Sequence, residues 1–127
     1  MTAPSNAVGI APYLLVADIR RSVAWYTEKL GFKVDKIWGA PPVFTIARLD
    51  DVSLMLKQSP DAPSVAAKNP DDVWNAYIWV RDIQAVETRL REQGVALRRG
   101  PEKTPYDCEE IEVADPDGHV ICFGACW

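Results

Sequence analysis

The chain has 127 residues, 48% hydrophobic and 25% charged, which are the proportions of one globular domain able to bury its own core. A net charge of −4 without any Lys/Arg run argues against a nucleic-acid partner. No apolar run approaches the length of a membrane span, and Met1-Thr2-Ala3-Pro4-Ser5-Asn6 lacks the basic and apolar regions of a signal peptide.

In chain order, residues 8–16 read as a first strand, and Asp18 stands where the cap of a following helix belongs. Ile19, Val23, Tyr26 and Leu30 recur at helical spacing, with Gly31 closing the helix. Residues 32–37, 43–49 and 52–57 read as three further strands. Pro60, Pro63 and Pro70 then break any regular pattern, so residues 59–73 are expected to form a linker, with room for a flap over a site. A strand over 74–80 follows, then a helix capped by Asp82 with Ile83, Val86 and Leu90 on its apolar stripe and Gly94 after it. The strand at 95–99 is expected to stop at Gly100-Pro101, leaving Leu97-Arg98-Arg99 as a strand end meeting solvent. Residues 109–114 alternate polar and apolar, and Asp115-Pro116-Asp117-Gly118 turns the chain into a last strand at 119–124.

The second half repeats the first. Tyr13-Leu14-Leu15-Val16-Ala17-Asp18-Ile19 returns about 64 residues later as Tyr77-Ile78-Trp79-Val80-Arg81-Asp82-Ile83, so one βαβββ unit is used twice. The expected domain is single, with module one at about 8–58 and module two at about 74–125. Cys108, Cys122 and Cys126 are odd in number and clustered near the C-terminus; they do not form a disulfide framework and fit a reducing cytoplasm. As a zinc cluster they lack any C-x-x-C pair. The five Trp are a compositional excess of the kind found in ligand pockets and interfaces.

Leu15-Val16-Ala17-Asp18, Trp25-Tyr26-Thr27-Glu28-Lys29-Leu30-Gly31-Phe32 and Asp115-Pro116-Asp117-Gly118-His119 resemble the vicinal oxygen chelate superfamily of glyoxalases, extradiol dioxygenases and bleomycin-resistance proteins. The resemblance implies an α+β fold, two βαβββ modules forming a half-open barrel with helices outside, commonly completed in a homodimer. In the metal enzymes of that family a ligand stands on the first and last strands of each module. The corresponding residues here are Ala11, Met55, Asn75 and Cys122, which are not the expected His, Gln or Glu, so the resemblance implies a metal site that has been lost. His119, the single histidine, reads as a turn residue entering the last strand more readily than as a ligand or base.

Strand alternation divides the faces. Leu14, Val16, Leu54, Leu56, Ile78, Val80, Ile121 and Phe123 are expected beneath the helices, with Tyr13, Leu15, Ser53, Met55, Lys57, Tyr77, Trp79, Val120, Cys122 and Gly124 facing a cleft. Tyr13, Trp38, Tyr77, Trp79 and Tyr106 are candidate aromatic walls, and the alternative is that they pack at a module or dimer interface. Glu110 and Glu112 share one strand face, where they would balance a cationic ligand or else form a solvated surface. The expected function is sequestration of an aromatic or cationic organic ligand, without cofactor, in a cytoplasmic homodimer. Two alternatives are a metal-dependent lyase or dioxygenase with atypical ligands, and a structural or regulatory dimer whose cleft is filled by its own side chains.

Overall fold

A computed structural model of the chain describes residues 4–62 and 74–127. The order is β1 (Tyr13–Val16), α1 (Ile19–Glu28), β2 (Lys33–Trp38), β3 (Phe44–Leu49), β4 (Val52–Gln58), β5 (Ala76–Trp79), α2 (Ile83–Glu92), β6 (Arg99–Lys103), β7 (Cys108–Ala114) and β8 (Val120–Cys126). The lid expected of the linker lies outside the described residues.

The strands form two separate four-stranded sheets, β1-β4-β3-β2 and β5-β8-β7-β6, and no closed barrel. In each, the outer strand preceding the helix runs parallel to the last strand of its own module, and the other pairs are antiparallel. This is the βαβββ plan carried out twice. Both helices start as the sequence requires: Asp18 Oδ1 accepts from the amides of Arg20 and Arg21, and Asp82 Oδ1 accepts from that of Ala85. Leu14, Val16, Leu54, Leu56, Ile78, Ile121 and Phe123 are buried with Ile19, Tyr26, Ile83 and Leu90 of the helices, so the expected core face is the observed one.

Three expectations change. β1 begins at Tyr13, and Val8 and Ile10 are fully exposed, at 102% and 95%. The ladder with β4 ends where the Pro12 carbonyl accepts from Met55, because proline has no amide to extend it. β6 runs through Gly100-Pro101 instead of stopping there, and a bulge between Arg99 and Glu102 accommodates the proline. Val95 and Leu97 pack on the core ahead of that strand.

Cys108 and Cys126 oppose each other across β7 and β8 and form a disulfide, leaving Cys122 as the free, buried thiol. Cysteine usage therefore gives no argument for a reducing compartment, and a three-cysteine zinc cluster is excluded. No helix among the described residues is long and apolar enough to cross a membrane.

The modules meet along a polar seam. Asp117 Oδ1 accepts from the Ala17 amide at 3.0 Å and pairs with Arg21 at 3.1 Å, and the Tyr26 hydroxyl donates to Asp115 Oδ2 at 2.8 Å. Burial holds the Asp115 carboxyl above its usual range, although His119 and the Tyr26 hydrogen bond pull the other way. His119 is buried here and does more than enter a strand: its Nε2 donates to the Leu15 carbonyl at 2.7 Å, joining the two modules. Its Nδ1 is buried without a hydrogen-bond partner among the described residues.

Candidate ligand-binding faces

The sheet faces turned away from the helices carry the candidate residues. On sheet one the register sets Leu15, Lys57, Phe44 and Trp38 in one row and Tyr13, Met55 and Ile46 in the next. Tyr13 stacks on Phe44 at 6.5 Å, and Phe44 meets Trp38 at 5.8 Å, so three rings make a continuous run. Lys36 Nζ lies 5.2 Å from the centre of the Trp38 ring, within cation–π range. Trp38 is the last residue of β2.

Sheet two sets Trp79, Gly124, Glu110 and Glu102 in one row and Tyr77, Cys122, Glu112 and Arg99 in the next. Trp74, Tyr77 and Trp79 form a second run of rings, at 4.9 and 5.1 Å between centroids. Tyr77 lies across β8 directly over Gly124. A Cβ at that position would overlap the Tyr77 hydroxyl and stand 2.9 Å from its Cε1, so the absence of a side chain is what lets the phenol cross the strand.

Across the strand, the Tyr77 hydroxyl donates to Glu110 Oε2 at 2.8 Å. The Tyr106 hydroxyl reaches the same carboxylate at 2.7 Å, and Arg99 Nη2 donates to Glu110 Oε1 at 2.7 Å. Glu112 accepts from Trp74 Nε1 at 2.9 Å, Arg98 Nη1 at 2.6 Å and Arg99 Nε at 2.7 Å. Burial pushes both carboxyls up, but the donors outweigh it and hold them below the usual carboxylate value. For Tyr77 burial comes first and Glu110 adds to it, raising the phenol well above its ordinary range.

The solvated reading of this face is thereby corrected: Glu110 has 0% exposure and Glu112 5%, because rings and guanidiniums cover them. Two carboxylates meet two guanidiniums, so neither acid is left with an unanswered charge. The expected strand end at Leu97-Arg98-Arg99 changes with it: Arg99 opens β6 and is partly buried, and Arg98, still exposed to solvent, pairs with Glu112. Phe44, Lys36, Arg98 and Arg99 are the members of these faces that sequence reasoning missed. Extending β6 through Pro101 would have exposed the last two, since the resulting register sets Arg99 opposite Glu112.

The structure thus gathers Tyr77, Trp79, Tyr106, Glu110 and Glu112 on sheet two, and Tyr13 and Trp38 on sheet one. No hydrogen bond or ring contact among the described residues joins the two groups. A separate cavity of about 600 Å³ lies between the turn at Asp50-Asp51 and the start of α2, walled by Leu30, Leu49, Val86 and Leu90. Of the candidate residues only Trp79 borders it.

A divalent metal does not fit the family positions. Ala11 has no donor atom, and the Asn75 carbonyl oxygen is engaged by the Val120 amide at 2.8 Å. Met55 is a soft thioether lying between Tyr13 and Ile46. Burial, reinforced by Glu110 and Glu112, pushes the Cys122 thiol up to about 12, so it holds its proton at neutral pH. Among the described residues no three His, Cys, Asp or Glu side chains are grouped to hold a metal.

Comparison with known proteins fits this architecture. The chain is similar to TnmS3, an antibiotic binding protein from Streptomyces sp. CB03234, at 25% identity and a TM-score of 0.71, covering 97% of this chain and 100% of that one. The bleomycin-binding protein from Streptomyces verticillus, solved with copper(II)-bleomycin, shares the fold at 20% identity and a TM-score of 0.73, covering 98% and 100%. TioX from Micromonospora sp. ML1 does so at 17% identity and a TM-score of 0.75, covering 95% and 100%. No curated protein matches the chain significantly. Residues 8–123 match the model of one family, and with the paired βαβββ modules this shows that the chain belongs to the Glyoxalase/Bleomycin resistance protein/Dioxygenase superfamily.

Proposed function

We propose that the protein binds a planar aromatic ligand, without a metal, between the open face of sheet one and that of sheet two from a second copy. The observation that carries this is the pair of three-ring runs left uncovered on those faces, with Trp79 72% and Tyr13 56% exposed. Aromatic surface of that extent costs free energy in water, and stacking a flat ligand recovers it. The similarity to an antibiotic binding protein supports a sequestering role. A cation-balancing role for Glu110 and Glu112 has no support, because Arg98 and Arg99 already answer both charges.

Charge supports the second copy as the opposing wall. Residues 8–58 hold seven Lys or Arg against five Asp or Glu, whereas residues 74–127 hold six against ten. Two copies related by a two-fold axis would set a positive module against a negative one twice.

The test is a titration followed by Trp emission, using an uncharged anthraquinone sulfonamide as the planar probe. Replacing Trp79 by Ala is expected to weaken binding by about 2 kcal/mol, the scale of a buried aromatic anchor. Equal affinity in the variant would refute the assignment of this wall. Stoichiometric metal in protein purified without chelator would refute the metal-free reading.

A further inference from the structure

We propose that the open face of sheet one selects aromatic ligands that carry a negative charge, with the Lys57 ammonium as the partner of that charge. This rests on the aromatic-binding reading and names its ligand class.

The two walls differ in their charge chemistry. On sheet two the carboxylates are buried beneath guanidiniums and phenols, and the network is closed. Sheet one is open in the opposite sense. Strands β1, β3 and β4 contain no Asp or Glu, and the sheet carries Lys33, Lys36, Arg48 and Lys57 against a single acid, Asp35 on β2. None of these four forms a salt bridge among the described residues.

Lys57 is the best placed of them. It is partly buried, and its cross-strand neighbours are Leu15 on one side and Phe44 on the other. Phe44 stands in the middle of the Tyr13–Phe44–Trp38 run, so the Lys57 side chain rises beside the surface on which a flat ligand would stack. These apolar neighbours provide no counter-charge, which leaves the ammonium available to whatever occupies the face. Lys36, drawn onto the Trp38 ring, adds positive potential at the far end of the same row. A sulfonate, carboxylate or phenolate on the edge of a planar ring system would meet Lys57 while the rings cover Phe44. A cationic aromatic would be repelled.

The experiment compares an anthraquinone sulfonate with the corresponding uncharged sulfonamide, on the full chain and on Lys57→Met. The substitution keeps the length and apolar contact of the side chain and removes its charge. The sulfonate is expected to bind the native protein more tightly than the sulfonamide, and to lose about fivefold or more in affinity in the variant. Sulfonamide affinity is expected to change far less than sulfonate affinity, and an unchanged urea midpoint reports that the variant is folded. Equal binding of the two probes to the native protein, or sulfonate binding insensitive to Lys57→Met, would overturn the anion preference and leave the aromatic wall standing. Failure of both probes to bind the native protein would overturn both proposals.

Discussion

Gly124 sits where any side chain would displace Tyr77, and that makes the sign of a conservative substitution depend on a residue across the sheet. Gly124→Ala should, on backbone grounds, stabilise a strand by about 0.4–1 kcal/mol, because it restricts the unfolded chain. Here the added Cβ would overlap the Tyr77 hydroxyl and crowd its ring, lifting the phenol away from Glu110. A hydrogen bond to a charged group contributes about 1.5–3 kcal/mol, so the net expectation is a loss of about 1–2 kcal/mol. In a Tyr77→Ala background the obstacle is gone, and Gly124→Ala should become stabilising. Urea unfolding of the four proteins gives the coupling directly, expected at about 1.5–3 kcal/mol. In the single variant the Tyr77 phenol should also titrate closer to its ordinary value of 10.0, measured by ultraviolet absorbance. A neutral or stabilising Gly124→Ala in the presence of Tyr77, or one cost in both backgrounds, would refute the reasoning.

The acid limb of stability should report the Glu110 and Glu112 network. Both carboxyls are held below the ordinary 4.5, so their contribution is complete above that pH and is lost as pH falls through their folded values. Urea midpoints across acidic pH should fall more steeply for the native protein than for Glu110→Gln. Asp115 works in the other direction, since its carboxyl is held above 3.8 and acid relieves the cost of burying its charge. The disulfide closes a loop with a sequence separation of 18, and reducing it should lower the unfolding free energy by about 3 kcal/mol. Thiol labelling of the unreduced native protein should find Cys122 protected until unfolding, and immediate labelling at neutral pH would contradict its burial.

The repeat, the capping aspartates and the alternation of faces were legible because each is a local pattern with one physical cause. Leu14, Val16, Leu54 and Leu56 are buried where period two placed them. The network around Glu110 was hidden for a different reason. It depends on β6 continuing past Pro101, and proline ordinarily marks the end of a strand. Stopping β6 at Arg99 removes the register that brings its guanidinium to Glu110 and Glu112, and then the acids look free and the arginines look solvated. The pairing of Cys108 with Cys126 was obscured in the same way, since only the hairpin register of β7 and β8 shows them opposite each other. Phe44 was missed because a single Phe at a strand start carries no periodic signal.

The seam between the modules bears on how the repeat can be used. Arg21, Ser22 and Tyr26 of the first helix receive the Asp115-Pro116-Asp117 turn. The residues at the same places of the second helix are Ala85, Val86 and Leu90, which offer that turn no donor. The facing turn there is Leu49-Asp50-Asp51-Val52, across the open cavity. The halves share a plan, yet one is built as a latch and the other as its catch. A chain made of two first modules would have no latch, and one made of two second modules would have no catch. The two halves are therefore not interchangeable at the seam that joins them.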